Sequence, residues 1–127
     1  MTPVWLNDTV RAFGRQMGLK SLALSERDAA GVRFENGFEL RLEYASGALA
    51  VLVTIPVADD PESAKHVLQA AHPDVRHAVK VRSGIFGKSR RAFFHARLPE
   101  RDVSVDVLER VFRELWAAAG TVGRRAA

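Results

Sequence analysis

Leu6, Val10, Phe13 and Met17 recur at intervals of three and four residues, the spacing that keeps side chains on one face of a helix. Thr2-Pro3 precedes them, so the pattern predicts Thr2 as N-cap and Pro3 at the first helical position. There its missing N–H leaves nothing unpaired. Gly18 is the expected stop. Leu19, Leu22 and Leu24 follow without a clean period. Polar and apolar residues then alternate over Val32-Arg33-Phe34-Glu35 and again from Phe38 to Tyr44, with Asn36-Gly37 between the runs. Asn-Gly in that position predicts a hairpin with positive φ at both turn residues. Ser46-Gly47 turns the chain into Ala48–Ile55, which is apolar on both faces and therefore expected as a central strand.

Asp60-Pro61 repeats the cap-and-proline start, and Ala64, Val67, Leu68 and Ala71 supply the apolar stripe of a short second helix ending at His72-Pro73. Val79 and Val81 alternate with Lys80 and Arg82. Ala92 to Leu98 reads as a further strand, with Gly84–Arg90 as the hairpin loop between them. Val105, Leu108, Phe112, Leu115 and Ala119 form the stripe of a third helix, capped by Ser104 or Asp102 and ended by Gly120. The predicted order is α-β-β-β-α-β-β-α. It is an α+β domain over residues 1–120, an antiparallel sheet with flanking helices, and residues 121–127 are expected as a flexible tail.

Composition narrows the chemistry. The 127 residues include no Cys, which removes disulfides, thiolate metal sites and a cysteine nucleophile. The longest apolar run, Ala48 to Ala58, is far short of the roughly 20 residues that span a bilayer. No basic run precedes an apolar core at the N-terminus, so a secretory signal is not expected and the cytoplasm is the expected compartment.

The net charge of +4 is unevenly placed. Arg76, Lys80, Arg82, Lys88, Arg90, Arg91, Arg97 and Arg101 crowd one segment in which Glu100 is the lone acid. Such a patch suits nucleic acid, an acidic lipid surface or an acidic protein, and it is equally the make-up of a solvated strand face.

Catalytic constellations are sparse along the chain. His66, His72, His77 and His95 have no partners at metal-ligand spacing. Gly87-Lys88-Ser89 resembles the end of a phosphate-binding loop, but Arg82 stands where its first Gly belongs, and a strand rather than a helix follows. The carboxylate pairs sit where helix N-termini favour negative charge. No catalytic, metal or cofactor site is expected. Phe86, Phe93 and Phe94 interleave with the basic segment, as a base-stacking sheet requires. Phe94 shares register with Ala96 and Leu98 and reads as core, and no glycine-aromatic signature of an RNA-binding sheet is present. A small basic nucleic-acid-binding or regulatory domain is the alternative reading.

Three stretches are similar to the class I type III secretion chaperones, small bacterial cytosolic proteins that hold secretion substrates before export. They are Val10-Arg11-Ala12-Phe13-Gly14-Arg15-Gln16-Met17-Gly18-Leu19, the strands around Phe34-Glu35-Asn36-Gly37-Phe38 with Leu40–Leu52 beyond, and Val81–Ser89 with Phe93–Leu98 and Leu108–Trp116. The last most resembles the SycN-like subgroup, which serves the gatekeeper protein of the secretion channel. The likeness covers Val4 to Ala119 and agrees with the predicted element order. This chain is basic where such chaperones are typically acidic.

The resemblance implies a non-catalytic chaperone without cofactor, which binds an extended segment of a secreted effector or gatekeeper protein. It places an apolar groove and a strand edge after the first helix, at Leu22, Leu24, Val32 and Phe34. It also implies pairing, with itself or with a second chaperone, through the second helix and the neighbouring strand. Ala64, Val67, Leu68 and Ala71 fit the helix side. Ile85 and Phe86, expected at a hairpin tip between Gly84 and Gly87, have the layout of an interface core with a charged rim.

Overall fold

The computed structural model describes residues 1–19, 21–56, 65, 81–86 and 91–126; for Phe86 and residues 121–126 it describes the backbone alone. Helix α1 spans Val4–Gln16. Strands β1 (Ala29–Arg33), β2 (Glu39–Ala45) and β3 (Ala48–Pro56) follow. Strands β4 (Arg82–Phe86) and β5 (Arg91–Pro99) come next, then a 3-10 turn over Glu100–Asp102 and helix α2 (Val105–Ala126). The five strands make one antiparallel sheet in the order β1-β2-β3-β5-β4. The fold is α+β, as the alternation of the sequence predicts.

β3 lies at the centre, where its two-sided apolar pattern requires it to be. Leu49, Val51, Val53 and Ile55 point to the core face and are essentially inaccessible. Leu42 lies opposite Val51 on one side and Ala96 on the other, and Leu40 and Phe94 flank Val53 in the same way. Against this face pack Leu6, Val10 and Phe13 from α1 and Leu108, Val111 and Leu115 from α2, giving one continuous core. Each such side chain contributes about 1.5–3 kcal/mol on burial. On the second face of β3, Ala48 and Thr54 are buried, and Ala50 and Leu52 are half-buried.

Several local expectations are corrected. Thr2 does not cap α1: Pro3 occupies the N-cap position without a side-chain bond. The Thr2 hydroxyl and N–H both donate to Asp28 Oδ1 instead, at 2.5 and 2.8 Å. At the first hairpin, Gly37 has positive φ and Asn36 does not. Gly37 N–H donates to Phe34 O and Phe34 N–H to Phe38 O, so the loop has three residues and needs only one left-handed position. Ser104 does cap α2, its Oγ accepting from Val107 N–H at 3.2 Å. Gly120 does not end that helix, whose backbone continues to Ala126. A helical glycine costs about 1 kcal/mol relative to alanine, which good helix formers on either side outweigh.

Gly84, Ile85 and Phe86, expected in the loop over Gly84–Arg90, belong instead to β4 and pair with Phe93, Ala92 and Arg91. Ile85 is 40% exposed on this edge strand rather than at a hairpin tip. The reason lies in Gly84. A Cβ there would stand 2.6 Å from the Phe93 ring, so the glycine lets that ring lie against the strand and extends the pairing. Ala64, Val67, Leu68 and Ala71 of the expected second helix lie outside the described residues.

Candidate partner-binding surface

Two features meet beside α1: an open strand edge and an aromatic groove. β1 ends the sheet, and its register with β2 runs from Ala29 opposite Glu43 to Arg33 opposite Glu39. Phe34 N–H bonds Phe38 O and Tyr44 N–H bonds Asp28 O. Antiparallel alternation therefore turns Ala30 and Val32 toward β2, and turns the backbone groups of Gly31 and Arg33 outward. Ala29 O accepts from Ser25 N–H, which closes the near end of the edge; among the described residues nothing pairs with the far end.

That far end runs into Phe34. The three-residue loop places Phe34 and Phe38 on the same side, and Trp116 of α2 fits between them with its ring centroid 4.8 Å from each. Phe112, one helical turn before Trp116, lies 5.5 Å from it and 6.1 Å from Phe13. Met17, Leu19, Phe34, Phe112 and Trp116 line an open groove of about 290 Å³, with Arg113 the one charged residue among its described lining. Glu109 braces one side of it, accepting from Gln16 Nε2 at 2.8 Å and from Arg113 Nη2 at 2.6 Å.

The loop that carries Phe34 and Phe38 is held by Arg91. Its guanidinium donates to Gly37 O at 2.8 Å and to Thr54 Oγ1 at 2.9 Å, which also satisfies the one buried polar side chain of the described core. Arg91, read from sequence as part of the basic patch, is thus tied to the frame of the groove.

Phe34 is half-buried and lines the groove, whereas Val32, also half-buried, belongs to β1 and is not part of the groove's lining. Leu22 and Leu24 are only 4% and 6% exposed and belong to the core beneath it. Asn7 holds them there: its Oδ1 accepts from Leu24 N–H at 2.9 Å and its Nδ2 donates to Leu24 O. Gly14 makes the fold-back possible, since a Cβ there would lie 2.8 Å from Leu22 Cβ. Trp116, Phe38 and Phe112 were not singled out for this surface in the sequence. The signal was the i, i+4 pair Phe112 and Trp116, which extends the helix stripe toward its Phe34 side. Among the described residues no three His, Asp or Glu converge as metal ligands, and no helix is long and apolar enough to cross a membrane.

This arrangement of sheet, hairpins and helices is the type III secretion chaperone fold. A chain of the HopA1–SchA chaperone–effector complex superposes with a TM-score of 0.71 at 19% identity, covering 97% of this chain and 99% of that one. The Yersinia pestis type III secretion chaperone SycH, solved with a fragment of YscM2, gives 0.70 at 16% identity over 92% and 98%. A chain of the ExsC–ExsE complex gives 0.72 at 14% identity over 96% and 93%. No protein-family model matches the sequence, nor does any curated protein.

Proposed function

We propose that this chain is a non-catalytic, cytoplasmic chaperone of type III secretion, which holds an extended segment of a secreted effector or gatekeeper protein for export. The observation that carries the reading is the continuity of the open β1 edge with the aromatic groove. An extended segment pairing with Gly31 and Arg33 gains main-chain hydrogen bonds, and its next apolar side chain reaches the groove walled by Phe34 and Trp116. The likeness to a chain of a chaperone–effector complex, and to a type III secretion chaperone solved with a fragment of YscM2, supports the same reading. Such binding needs no cofactor.

The test is co-expression with candidate type III secreted proteins from the same genome, followed by hydrogen exchange on the purified complex. Slowed exchange at residues 30–34 and 112–117 is the expected result. A complex that leaves both segments unchanged removes the proposal.

The finer assignment, to chaperones of the gatekeeper protein, rests on the resemblance of Val81–Ser89 and the strand after it to the SycN-like subgroup. In that reading the chain pairs with itself or with a second chaperone through Ala64, Val67, Leu68, Ala71, Ile85 and Phe86. The exposure of Ile85 on an edge strand supports an interface there. Leu68→Asp and Phe86→Asp are each expected to shift a two-chain particle toward monomer in light scattering. A monomer in the unaltered protein, both alone and with its co-encoded neighbours, removes the pairing.

A further inference from the structure

The sheet face turned away from the core is divided electrically. On its β1–β2 half the charges compensate one another: Arg41 lies 3.2 Å from Glu43 and 3.9 Å from Glu39, and Arg33 lies 3.3 Å from Glu39. On its β4–β5 half they do not. Arg82 stands directly opposite His95, and Arg97 follows two residues along β5 on the same face. Among the described residues no carboxylate lies within ion-pair distance of either guanidinium. Arg82 and Arg97 are thus diagonal neighbours across the two strands, and two like charges at that spacing favour an anion between them. These three side chains, with Pro99, line a cavity of about 300 Å³.

We infer that this cavity is a second binding site, which takes carboxylates from an acidic segment of a partner protein. Guanidinium groups pair with carboxylates through two parallel N–H···O bonds, and two of them flank one cavity here. A nucleic-acid strand would need a line of phosphate contacts along β5. The next basic residue on that line and face, Arg91, is committed to Thr54 and Gly37. The geometry therefore suits one anionic group or a pair of them held at an open site. The chain's net charge of +4 draws such a segment in.

His95 reports on the site. Burial first, then Arg82 and Arg97, hold its imidazole below the ordinary histidine value, while Glu43 of β2 pulls the other way. Arg41, in the same cross-strand row beyond Leu52, adds positive charge at longer range. A bound carboxylate favours the protonated imidazole and raises its titration midpoint. Affinity for an acidic segment accordingly increases as pH falls through the titration of His95.

The experiment titrates the full chain with hexaglutamate, following the His95 ring by NMR, with inorganic phosphate and oligo(dT) as parallel probes. Saturable binding of hexaglutamate, an upward shift of the His95 midpoint, and at least a tenfold loss of affinity in Arg82→Gln/Arg97→Gln are expected. Both arginines are exposed, so the variant should melt like the parent, and Trp116→Ala should leave this binding unchanged. Absence of binding, or binding indifferent to the double variant, overturns the inference. Inorganic phosphate matching hexaglutamate would assign a small-anion site, and oligo(dT) exceeding it a nucleic-acid site; either result also overturns it.

Discussion

Phe34 and Trp116 meet edge to face, with ring centroids 4.8 Å apart and planes inclined at 76°. One belongs to a tight loop near the start of the sheet and the other to the C-terminal helix. Their contact turns two amphipathic elements into a groove. An edge-to-face aromatic pair is worth about 0.5–1.5 kcal/mol beyond its area. The pair therefore both closes the fold locally and forms the wall that a partner segment would touch.

Trp116→Ala removes that wall. Because the indole is only half-buried, the stability cost should be about 1–3 kcal/mol, below that of a fully buried aromatic. Affinity for the secreted partner should fall tenfold or more, about 1.4 kcal/mol. Calorimetric titration beside a thermal melt separates the two effects. Unchanged affinity in a folded variant would show that the segment bypasses the groove.

Leu24→Asp should unfold the protein rather than leave a folded molecule deficient in binding. Leu24 is 6% exposed and its backbone is clamped by Asn7, so a carboxylate there has neither water nor a partner. Leu24→Ala should cost about 2–5 kcal/mol in urea denaturation. A folded, soluble Leu24→Asp chain that has lost only its partner would return this residue to the binding surface.

Gly14→Ala tests the fold-back of the segment after α1. Replacing a helical glycine by alanine ordinarily stabilises by about 0.4–1 kcal/mol through the unfolded chain. Here the new Cβ would meet Leu22 Cβ at 2.8 Å and Leu19 O at 2.9 Å. Overpacking of this kind costs about 1–3 kcal/mol, so the expected sign is reversed. A higher melting temperature in the variant would contradict the close approach.

Asp28 gives the fold a defined acid sensitivity. The Thr2 hydroxyl and then its N–H hold the carboxyl below the ordinary aspartate value; desolvation opposes them less strongly, and the N-terminal amine at 3.6 Å adds a smaller lowering effect. A carboxyl whose native value is depressed contributes stability at neutral pH. That contribution is lost as pH falls from the ordinary aspartate range through the lowered native value. Asp28→Asn keeps a residue that tolerates the positive φ of 58° at this position. It should melt below the parent at pH 7, and the gap should close under strongly acidic conditions. A gap independent of pH would assign the effect to shape rather than charge.

Much of the fold was legible in the alternation of side chains. Period-two runs in β2 and β5, the two-sided run in β3, and the helical stripes of α1 and α2 each reflect local geometry, which a sequence carries directly. The basic segment was legible as well, but not its division: Arg91 braces the groove loop, whereas Arg82 and Arg97 flank His95 with no carboxylate partner among the described residues. Sorting them requires knowing which strands are neighbours. The extent of β4 was missed for a related reason, since Gly84 marks a turn when read alone and an aromatic seat when Phe93 lies across from it.

The sequence by itself determined the number and type of the described strands and α-helices, though not the 3-10 turn at Glu100–Asp102, together with the central place of β3 and the absence of thiol chemistry. Those follow from periodicity and composition, which act within a few residues. Only the tertiary structure decided that Leu22 and Leu24 are core while Phe34 remains half-exposed, because burial depends on Asn7 and Gly14 closing over one pair and on Trp116 standing beside the other. It likewise brought Phe38, Phe112 and Trp116 into a single groove at the end of an open strand. Contacts between the two ends of a chain are long-range products of packing, and no local pattern encodes them.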